Sequence, residues 1–241
     1  MKLSVNEQIP ENADQKRTLV SAAYERLRRE IVHGALRPGK RLRFNYLADT
    51  YGFSASTLRE ALSRLVGDGL AVFEDQRGFM VAVVSRDRLI DLLQMRLLLE
   101  EKGIRLSVER GGIEWEVDVM SAFHRLSKAH GPLGADPRLV DDEWEEYHSD
   151  FHRSLLAACG SPLLLHYREA LYLQGDRYRR LYHSYSERER DHLGEHRELM
   201  EAALRRDADA VVQRIREHLE LTVTDVLASQ FATATASEMS D

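Results

Sequence analysis

The sequence predicts a mainly α-helical protein in two parts, an N-terminal winged helix-turn-helix and a C-terminal antiparallel all-helical bundle. Three observations predict this fold class. The 241 residues exceed the usual size of one domain. Apolar residues recur at three- and four-residue spacing through most of the chain, which is typical of helices. Short runs with strand character occur only between residues 70 and 84.

The N-terminal part begins with a helical pattern from Leu19 to Ile31, which Gly34 and Pro38-Gly39 interrupt. A short helix, a second helix and two short strands follow in that order, over 45–51, 56–67, 70–74 and 79–84. Gly78 lies in the connection between the two strands, where it favours a hairpin. This order of elements is that of a winged helix-turn-helix.

The C-terminal part shows no strand pattern. Its six helical stretches are separated by short breaks, most of them rich in glycine or proline, and cover 86–110, 115–130, 138–159, 162–183, 186–205 and 208–230. Short connections between helices predict antiparallel neighbours. We therefore expect a winged helix domain over 17–85 and a helical domain for effector binding and dimerisation over 86–230. The polar ends, 1–16 and 231–241, are expected to be disordered.

Charge is distributed unevenly between the two parts. The net charge is −6, but residues 16–85 carry 12 Lys and Arg against 7 Asp and Glu. Residues 86–241 carry 21 against 30. A basic N-terminal part joined to an acidic C-terminal part can neutralise nucleic-acid phosphates locally.

Cysteine usage and hydropathy indicate a cytoplasmic protein. The single cysteine, Cys159, excludes an internal disulfide framework and fits a reducing compartment. No apolar run reaches the roughly 18 residues that span a bilayer. The first residues contain no apolar segment typical of a secretory signal.

Candidate DNA contacts surround the second helix of the helix-turn-helix. The hydroxyl of Ser54 or of Ser56 can cap its first turn. Ser56, Thr57, Arg59 and Arg64 border the apolar stripe and are expected to face outward. Arginine can donate two parallel hydrogen bonds to guanine, and hydroxyls suit phosphates or base edges.

Further candidate contacts lie outside that helix. Arg77 would place a cation at the tip of the wing, and Gly78 would let the backbone there approach a DNA groove closely. Arg43 could contact a phosphate. Each of these arginines, taken alone, could equally be an ordinary solvated residue.

Two N-terminal strings are specific, IVHGALRPGKRL at 31–42 and GFSASTLREAL at 52–62. With Arg77-Gly78 they resemble the GntR regulators, and the chain from Leu19 to Leu227 is similar to their FadR-like subfamily with an FCD effector domain. The resemblance implies DNA binding, and Arg59 stands at the position of an arginine in the family's motif. One departure is Ala55, where family members commonly carry an arginine. The missing contact implies an altered operator preference.

Four histidines of the helical part lie where they could meet. His148 and His152 are four residues apart and project from one face of a helix. His196 and His218 each lie 11 residues from Asp207, so two helices that fold back there place both histidines at one level, roughly 16 Å from the turn. A lone helical histidine is more often a hydrogen-bonded residue. Converging imidazoles in a bundle suit zinc, nickel, copper or iron.

The FCD resemblance extends this prediction. The family's motifs are similar to His148-Ser149-Asp150-Phe151-His152, Glu195-His196 and His218-Leu219. Its members often bind a divalent metal through one aspartate and three histidines. His148 stands where the aspartate is usual, whereas Asp150 should point to the opposite side of the helix. Either His148 replaces the aspartate, giving four histidine ligands, or the site is altered. We expect replacement, with zinc as the metal and nickel, iron or manganese as alternatives.

Arg96 matches the family's motif of arginine, three residues and glutamate on the first effector helix. The resemblance implies a small carboxylate effector inside the bundle, and a guanidinium fits that group. The alternative is a helix-surface pair between Arg96 and Glu100.

A basic aromatic stretch follows in a later helix. It contains Tyr172, Arg177, Tyr178, Arg179, Arg180, Tyr182 and Tyr185. We interpret this stretch as a solvated or dimer-facing helix surface rather than a second nucleic-acid site.

Two functions of different classes fit these features. The first is a homodimeric repressor whose affinity for a palindromic double-stranded operator changes when a small organic acid binds. The second is a helical-bundle metalloenzyme with an accessory N-terminal domain. No carboxylate at an informative spacing could serve as a catalytic base. We therefore expect a regulator and not an enzyme.

Overall fold

The computed structural model describes residues 11–129, 142–182 and 190–238, and the chain divides into two compact units, Met1–Val83 and Val84–Asp241. The predicted mainly α-helical class with a small antiparallel sheet is confirmed. The elements of the first unit are α1 (Glu11–Val32), α2 (Phe44–Tyr51), α3 (Ala55–Gly67), β1 (Ala71–Glu74) and β2 (Gly78–Val81). Those of the second are α4 (Arg86–Arg110), α5 (Ile113–Lys128), α6 (Asp142–Leu156), α7 (Pro162–Tyr182), α8 (His192–Leu204) and α9 (Ala208–Glu238).

The first unit is a winged helix-turn-helix around one apolar core. Leu27 of α1, Leu47 of α2 and Leu62 of α3 are fully buried against one another. Gly52 ends α2 in the left-handed conformation, at φ 74°, and turns the chain toward α3. Burial of these leucines fixes which side of α3 is left for solvent.

The wing is the hairpin of β1 and β2. The strands pair antiparallel, with Ala71 opposite Val81 and Glu74 opposite Gly78. Gln76 and Gly78 adopt positive φ angles of 65° and 77°, which allow the tight reversal at the tip.

The second unit is an antiparallel bundle of helices. Helix α4 packs against α7 and α9, helix α5 packs against α6 and α8, and α8 packs against α9. Its core includes Ile104, Val119, Phe151, Leu199 and Ile215. Within the three described ranges, no helix is both long and apolar enough to cross a membrane.

Several helix ends differ from the predicted ones, each for a local reason. Helix α5 begins at Ile113 rather than 115, because Gly112 occupies its N-cap. Helix α6 ends at Leu156 rather than 159, since the chain tightens into a turn before Gly160, whose φ is 69°. Helix α8 begins at His192, where the Asp191 carboxylate accepts the Gly194 N–H.

The predicted disordered ends remain a prediction. Helix α1 begins at Glu11 and helix α9 extends to Glu238, within the segments expected to be disordered. Residues 1–10 and 239–241 lie outside the described residues, as do 138–141 and 183–189 of the predicted helices.

Two helical glycines give a matched test of packing in the second unit. A Cβ at Gly103 would lie 2.5 Å from Leu156 and 3.1 Å from Leu164, whereas a Cβ at Gly175 would meet nothing closer than 3.5 Å. We expect Gly103→Ala to destabilise the bundle by about 1–2 kcal/mol, because overpacking outweighs the gain in helix propensity. Gly175→Ala should be neutral or stabilising by up to about 1 kcal/mol.

Both tryptophans, Trp115 and Trp144, lie in the second unit, so denaturant unfolding followed by their fluorescence reports on this unit. Equal stability of the two variants would contradict the packing at Gly103.

Candidate functional site

The four predicted histidines come together inside the bundle. His148 and His152 extend from α6, His196 from α8 and His218 from α9, and all four are buried. One ring nitrogen from each lies within 4.8 Å of the others. The fold-back at Arg205–Asp207 brings the His196 and His218 rings to a centroid distance of 4.8 Å. This cluster could hold a metal ion.

The nitrogen separations fit a shared ion. His152 Nε2 lies 3.2 Å from His196 Nε2, and 3.1 Å from His148 Nε2, where a hydrogen bond between the two rings fits as well. Two imidazole nitrogens bound to one metal at 2.0–2.1 Å lie about 2.8–3.4 Å apart at tetrahedral or octahedral angles.

Two of the histidines are fixed by acceptors behind them. His196 Nδ1 donates to the carbonyl of His192 at 2.5 Å, and His218 Nδ1 donates to Glu195 Oε2 at 2.7 Å. A neutral imidazole that carries its proton on Nδ1 has a bare lone pair on Nε2. His196 and His218 therefore present metal-binding nitrogens toward the cluster.

Arg190 holds the carboxylate that orients His218. Its guanidinium donates two bonds to Glu195, at 2.6 and 2.7 Å, and reaches Asp225 at 3.1 Å. Burial raises the pKa of Glu195, but the hydrogen bonds from Arg190 and His218 outweigh burial and hold that pKa below its usual range. Glu195 thus stays ionised as an acceptor for His218.

His148 has a different environment. Its Nδ1 lies 3.1 Å from the Tyr172 hydroxyl and 3.2 Å from Arg179 Nη1, and its ring stacks on Trp144 at a centroid distance of 4.7 Å. Glu145 and Asp176 accept hydrogen bonds from the other Nη of Arg179.

Burial favours the neutral form of the four histidines. It is the main cause that lowers the pKa of His148, His152, His196 and His218, and nearby arginine or histidine side chains add to it. Burial and Arg190 also lower the pKa of His192 to about 4. Neutral imidazole is the form that binds metal.

A cavity of about 720 Å³, including its open mouth, adjoins the histidines. Its walls are apolar on α4 and α9, while His148, His152 and His218 line one part of it. Arg96 also lines the cavity. A concave apolar site with few polar groups is typical of small-molecule binding.

Arg96 lies above the Tyr172 ring, and its Nη2 donates to Glu100 Oε1 at 3.4 Å. Glu100 is fully buried, so this is an internal pair and not the surface pair considered above. Arg168 donates to the same Glu100 oxygen at 3.0 Å. Two guanidiniums thus share one carboxylate, which leaves Arg96 with donor capacity beside the cavity.

The basic aromatic stretch of α7 is largely buried inside the bundle, so its interpretation as a solvated surface is wrong, while the dimer-facing alternative stays a prediction. The side chains of Tyr172, Arg177, Tyr178 and Arg179 are each less than a tenth exposed. They turn inward because carboxylates distant in sequence, such as Glu145, pair with the arginines. Tyr182 and Tyr185 lie outside the described side chains. The roles of Arg190, Tyr172 and Arg179 around the histidines were missed; only the i, i+3 spacing of Asp176 and Arg179 hinted at an ion pair.

The candidate DNA surface of α3 agrees with its prediction except at Thr57. Ser54 caps the helix by accepting the Thr57 N–H at 3.2 Å, and Ser56 and Arg59 are exposed. Thr57 is instead buried, with its hydroxyl 2.9 Å from that of Ser54. The expectation that Thr57 faces outward is wrong, because its side chain completes the helix cap.

The remaining candidate DNA residues are all accessible to some degree. Arg43 is exposed at the N-cap of α2, and Arg77 is exposed at the wing tip, where it pairs with Glu74. Arg64 lies over the Tyr24 ring of α1. Gly78 is half-buried.

Comparison with known proteins identifies both units. Residues 19–81 match the profile of bacterial regulatory proteins of the gntR family, and residues 91–221 match that of the FCD domain. The chain is 40% identical over 210 residues to the HTH-type transcriptional regulator BphR of Paraburkholderia xenovorans, covering 87% of this chain and 86% of that protein. It is 35% identical to the HTH-type transcriptional repressor GlaR of Escherichia coli, covering 81% and 90%.

Solved structures show the same fold. Escherichia coli McbR/YncC superimposes with a TM-score of 0.71 at 20% identity, over 87% of this chain and 97% of that one. A transcriptional regulator from Rhodococcus sp. RHA1 gives a TM-score of 0.69 at 19% identity, over 88% and 99%.

The neutral histidines make the metal-free protein sensitive to acid. Below pH 6.5 the unfolded chain binds protons at these imidazoles while the folded chain does not, so stability must fall as pH falls. Each histidine that stays neutral contributes a loss of about 1.4 kcal/mol per pH unit. We expect chelator-treated protein to lose stability steeply from pH 7 to pH 5.5 in denaturant titrations.

His196→Gln should reduce this pH slope, whereas the same change at the exposed His124 should leave it unaltered. Constant stability across this pH range would contradict the buried, neutral state of the cluster.

Proposed function

The chain belongs to the gntR family of bacterial regulatory proteins and carries an FCD domain, and on that premise we propose a transcription regulator controlled by a small carboxylate effector bound beside a metal ion. Its relatives are transcription regulators, and the function is regulatory rather than enzymatic. The observation that carries the proposal is the cluster of buried histidines beside the cavity of the helical unit.

The donor chemistry favours zinc as the metal. His152, His196 and His218 supply uncharged imidazole nitrogens, which suit zinc and nickel and, less well, iron or manganese. His148 lies at the fourth position of the cluster. When bound, the metal supplies a Lewis-acidic anchor for a carboxylate oxygen.

Arg96, which lines the same cavity as the histidines, is proposed to bind the effector. Its guanidinium is held by Glu100 and lies over Tyr172. A guanidinium and a carboxylate form strong charge-assisted hydrogen bonds, particularly where water is excluded. The effector is thus a small organic acid.

The winged helix is proposed to read operator DNA. Helix α3 would enter the major groove, with Arg59 on a guanine edge and Ser54, Ser56 or Arg64 near phosphates. Arg43 would contact the backbone, and Arg77 with Gly78 would approach a groove from the wing. Burial of Thr57 restricts it to supporting the helix cap.

Regulation requires two copies of the chain. One winged helix reads a half-site, so a homodimer on a palindromic operator is proposed. An effector that binds one arrangement of the dimer more tightly would shift the separation of the two DNA-reading helices. Repression relieved by the effector is the mode we propose.

Metal content tests the histidine cluster. Protein purified without chelator should contain about one zinc ion per chain, since a preformed site of neutral imidazoles binds metal tightly. A His152→Ala/His196→Ala double variant should lose it, and His124→Ala should retain it. Elemental analysis by mass spectrometry makes the measurement, and equal metal content in all three proteins would exclude the site.

Arg59 is tested on an operator selected from a random duplex pool with the wild-type protein. Arg59→Ala should weaken binding to that operator by about 5- to 150-fold and relax its sequence preference, as the loss of one bidentate base contact predicts. Arg43→Ala should weaken selected and random DNA alike and lower the salt dependence. Arg205→Ala, an exposed change in the helical unit, is the control. Full sequence preference in Arg59→Ala would refute its role.

A further inference from the structure

His148 differs from the other three histidines in what lies behind its ring. His196 Nδ1 faces a carbonyl, and His218 Nδ1 lies 2.7 Å from the Glu195 carboxylate and, farther away, 3.3 Å from Arg190 Nη2. His148 Nδ1 faces Arg179 Nη1 at 3.2 Å in hydrogen-bonding geometry, whereas its nearby carboxylate oxygen, on Glu145, is 3.9 Å away. A guanidinium has only donors, so a nitrogen that faces it without a carboxylate or carbonyl in hydrogen-bonding reach carries a lone pair.

This contact assigns the tautomer of His148. With a lone pair on Nδ1, the neutral ring carries its proton on Nε2. The Tyr172 hydroxyl, 3.1 Å from Nδ1, is then a second donor to the same atom. The Nε2–H of His148 points into the cluster, where it meets His152 Nε2 at 3.1 Å.

The assignment also accounts for His152 and for the centre of the cluster. His152 Nε2 accepts from His148, so His152 carries its proton on Nδ1, a buried atom for which the described residues provide no hydrogen-bond partner. His152 Nε2 and His196 Nε2 then face each other at 3.2 Å with two lone pairs. Lone pairs at this distance in a buried site repel one another unless a cation lies between them.

The surroundings hold His148 in this state. Its ring is stacked on Trp144 at an interplanar angle of 14°, which opposes rotation. Arg179 is fixed by Glu145 and Asp176 on two different helices. To bind a metal through Nε2, His148 would have to move its proton to Nδ1, directly against an N–H of Arg179. Two N–H groups that point at each other in a buried site leave both donors without an acceptor, which raises the free energy of the folded protein.

From this geometry we infer that His148 is a hydrogen-bond donor to the effector carboxylate and is not a fourth metal ligand. His152, His196 and His218 form the ligand set. This inference rests on the proposed metal-anchored carboxylate site and defines its specificity. An N–H fixed beside the ligands donates a hydrogen bond to an anionic oxygen and disfavours an ammonium or amide N–H group, which would place donor against donor. Arg179 is the positioning residue that keeps the Nε2–H in place.

Nitrogen NMR of wild-type protein labelled with ¹⁵N-histidine tests the tautomer without disturbing the site. Two-bond ¹⁵N–¹H correlations distinguish a protonated Nε2 from a protonated Nδ1, and His148→Ala identifies the signal. We expect His148 to carry its proton on Nε2 with and without zinc, and the other three to carry it on Nδ1. A zinc-loaded His148 protonated on Nδ1 would overturn the inference.

Zinc affinity, measured by chelator competition, provides a second test. His152→Ala should lower zinc affinity by more than about 100-fold, beyond the usual effect of an outer contact, whereas His148→Ala should lower it by no more than about tenfold. Acetate, used as a carboxylate probe in calorimetry, should bind zinc-loaded His148→Ala about tenfold or more weakly than wild type, as expected for loss of one charge-assisted bond.

The outcomes separate the two proposals. Wild-type protein that binds no zinc would refute the metal site and this inference together. Zinc binding with equal losses in His148→Ala and His152→Ala would leave the metal site standing and refute the donor role. Unchanged acetate affinity in His148→Ala would refute it as well.

Discussion

The structure of the helical unit depends on one constraint: four imidazoles are buried together, and their polar atoms must be satisfied there. Without a cation between them, ring nitrogens 3.1–3.2 Å apart cannot all carry lone pairs, and they cannot all carry protons. The groups behind each ring therefore decide how the cluster behaves. In the proposed site, acceptors behind His196 and His218 leave their Nε2 lone pairs free for a metal, and the donor behind His148 leaves its Nε2–H free to donate. The same helices would hold a different site if these outer groups were exchanged.

Two ionic networks fix these outer groups on either side of the cluster. Arg190 connects Glu195 with Asp225 of α9, and Arg179 connects Glu145 of α6 with Asp176 of α7. Burying such charges stabilises little by itself, because desolvation offsets much of the attraction. The ionic networks matter because they hold the groups that hydrogen-bond to the histidines in place. Each network ties a ring nitrogen to a second helix, so a shift of α7 or α9 would move a hydrogen bond at the cluster. Residues of both helices also line the adjoining cavity.

In the winged helix, the burial of apolar side chains alone decides which residues of α3 face solvent. Leu58, Leu62 and Leu65 face the core, so Arg59 must face solvent. The cap made by Ser54 fixes the first turn of α3 and takes up the hydroxyl of Thr57. Because the core residues and the solvent-facing residues of α3 are different, the side chains proposed to contact DNA can be exchanged without loss of the fold.

The sequence alone determined the helices, the hairpin and the convergence of the histidines, because these follow from local periodicity, from glycine and proline breaks and from equal spacing about Asp207. It also predicted Arg59 as exposed and Arg96 as a cavity residue. Tertiary structure decided the rest. The burial of the basic side chains of α7 depends on Glu145, which pairs with Arg179 from 34 residues away. No periodicity in the sequence encodes such a contact. The tautomer of His148 likewise depends on which group another helix places behind its ring, since a histidine has no preference of its own strong enough to decide it.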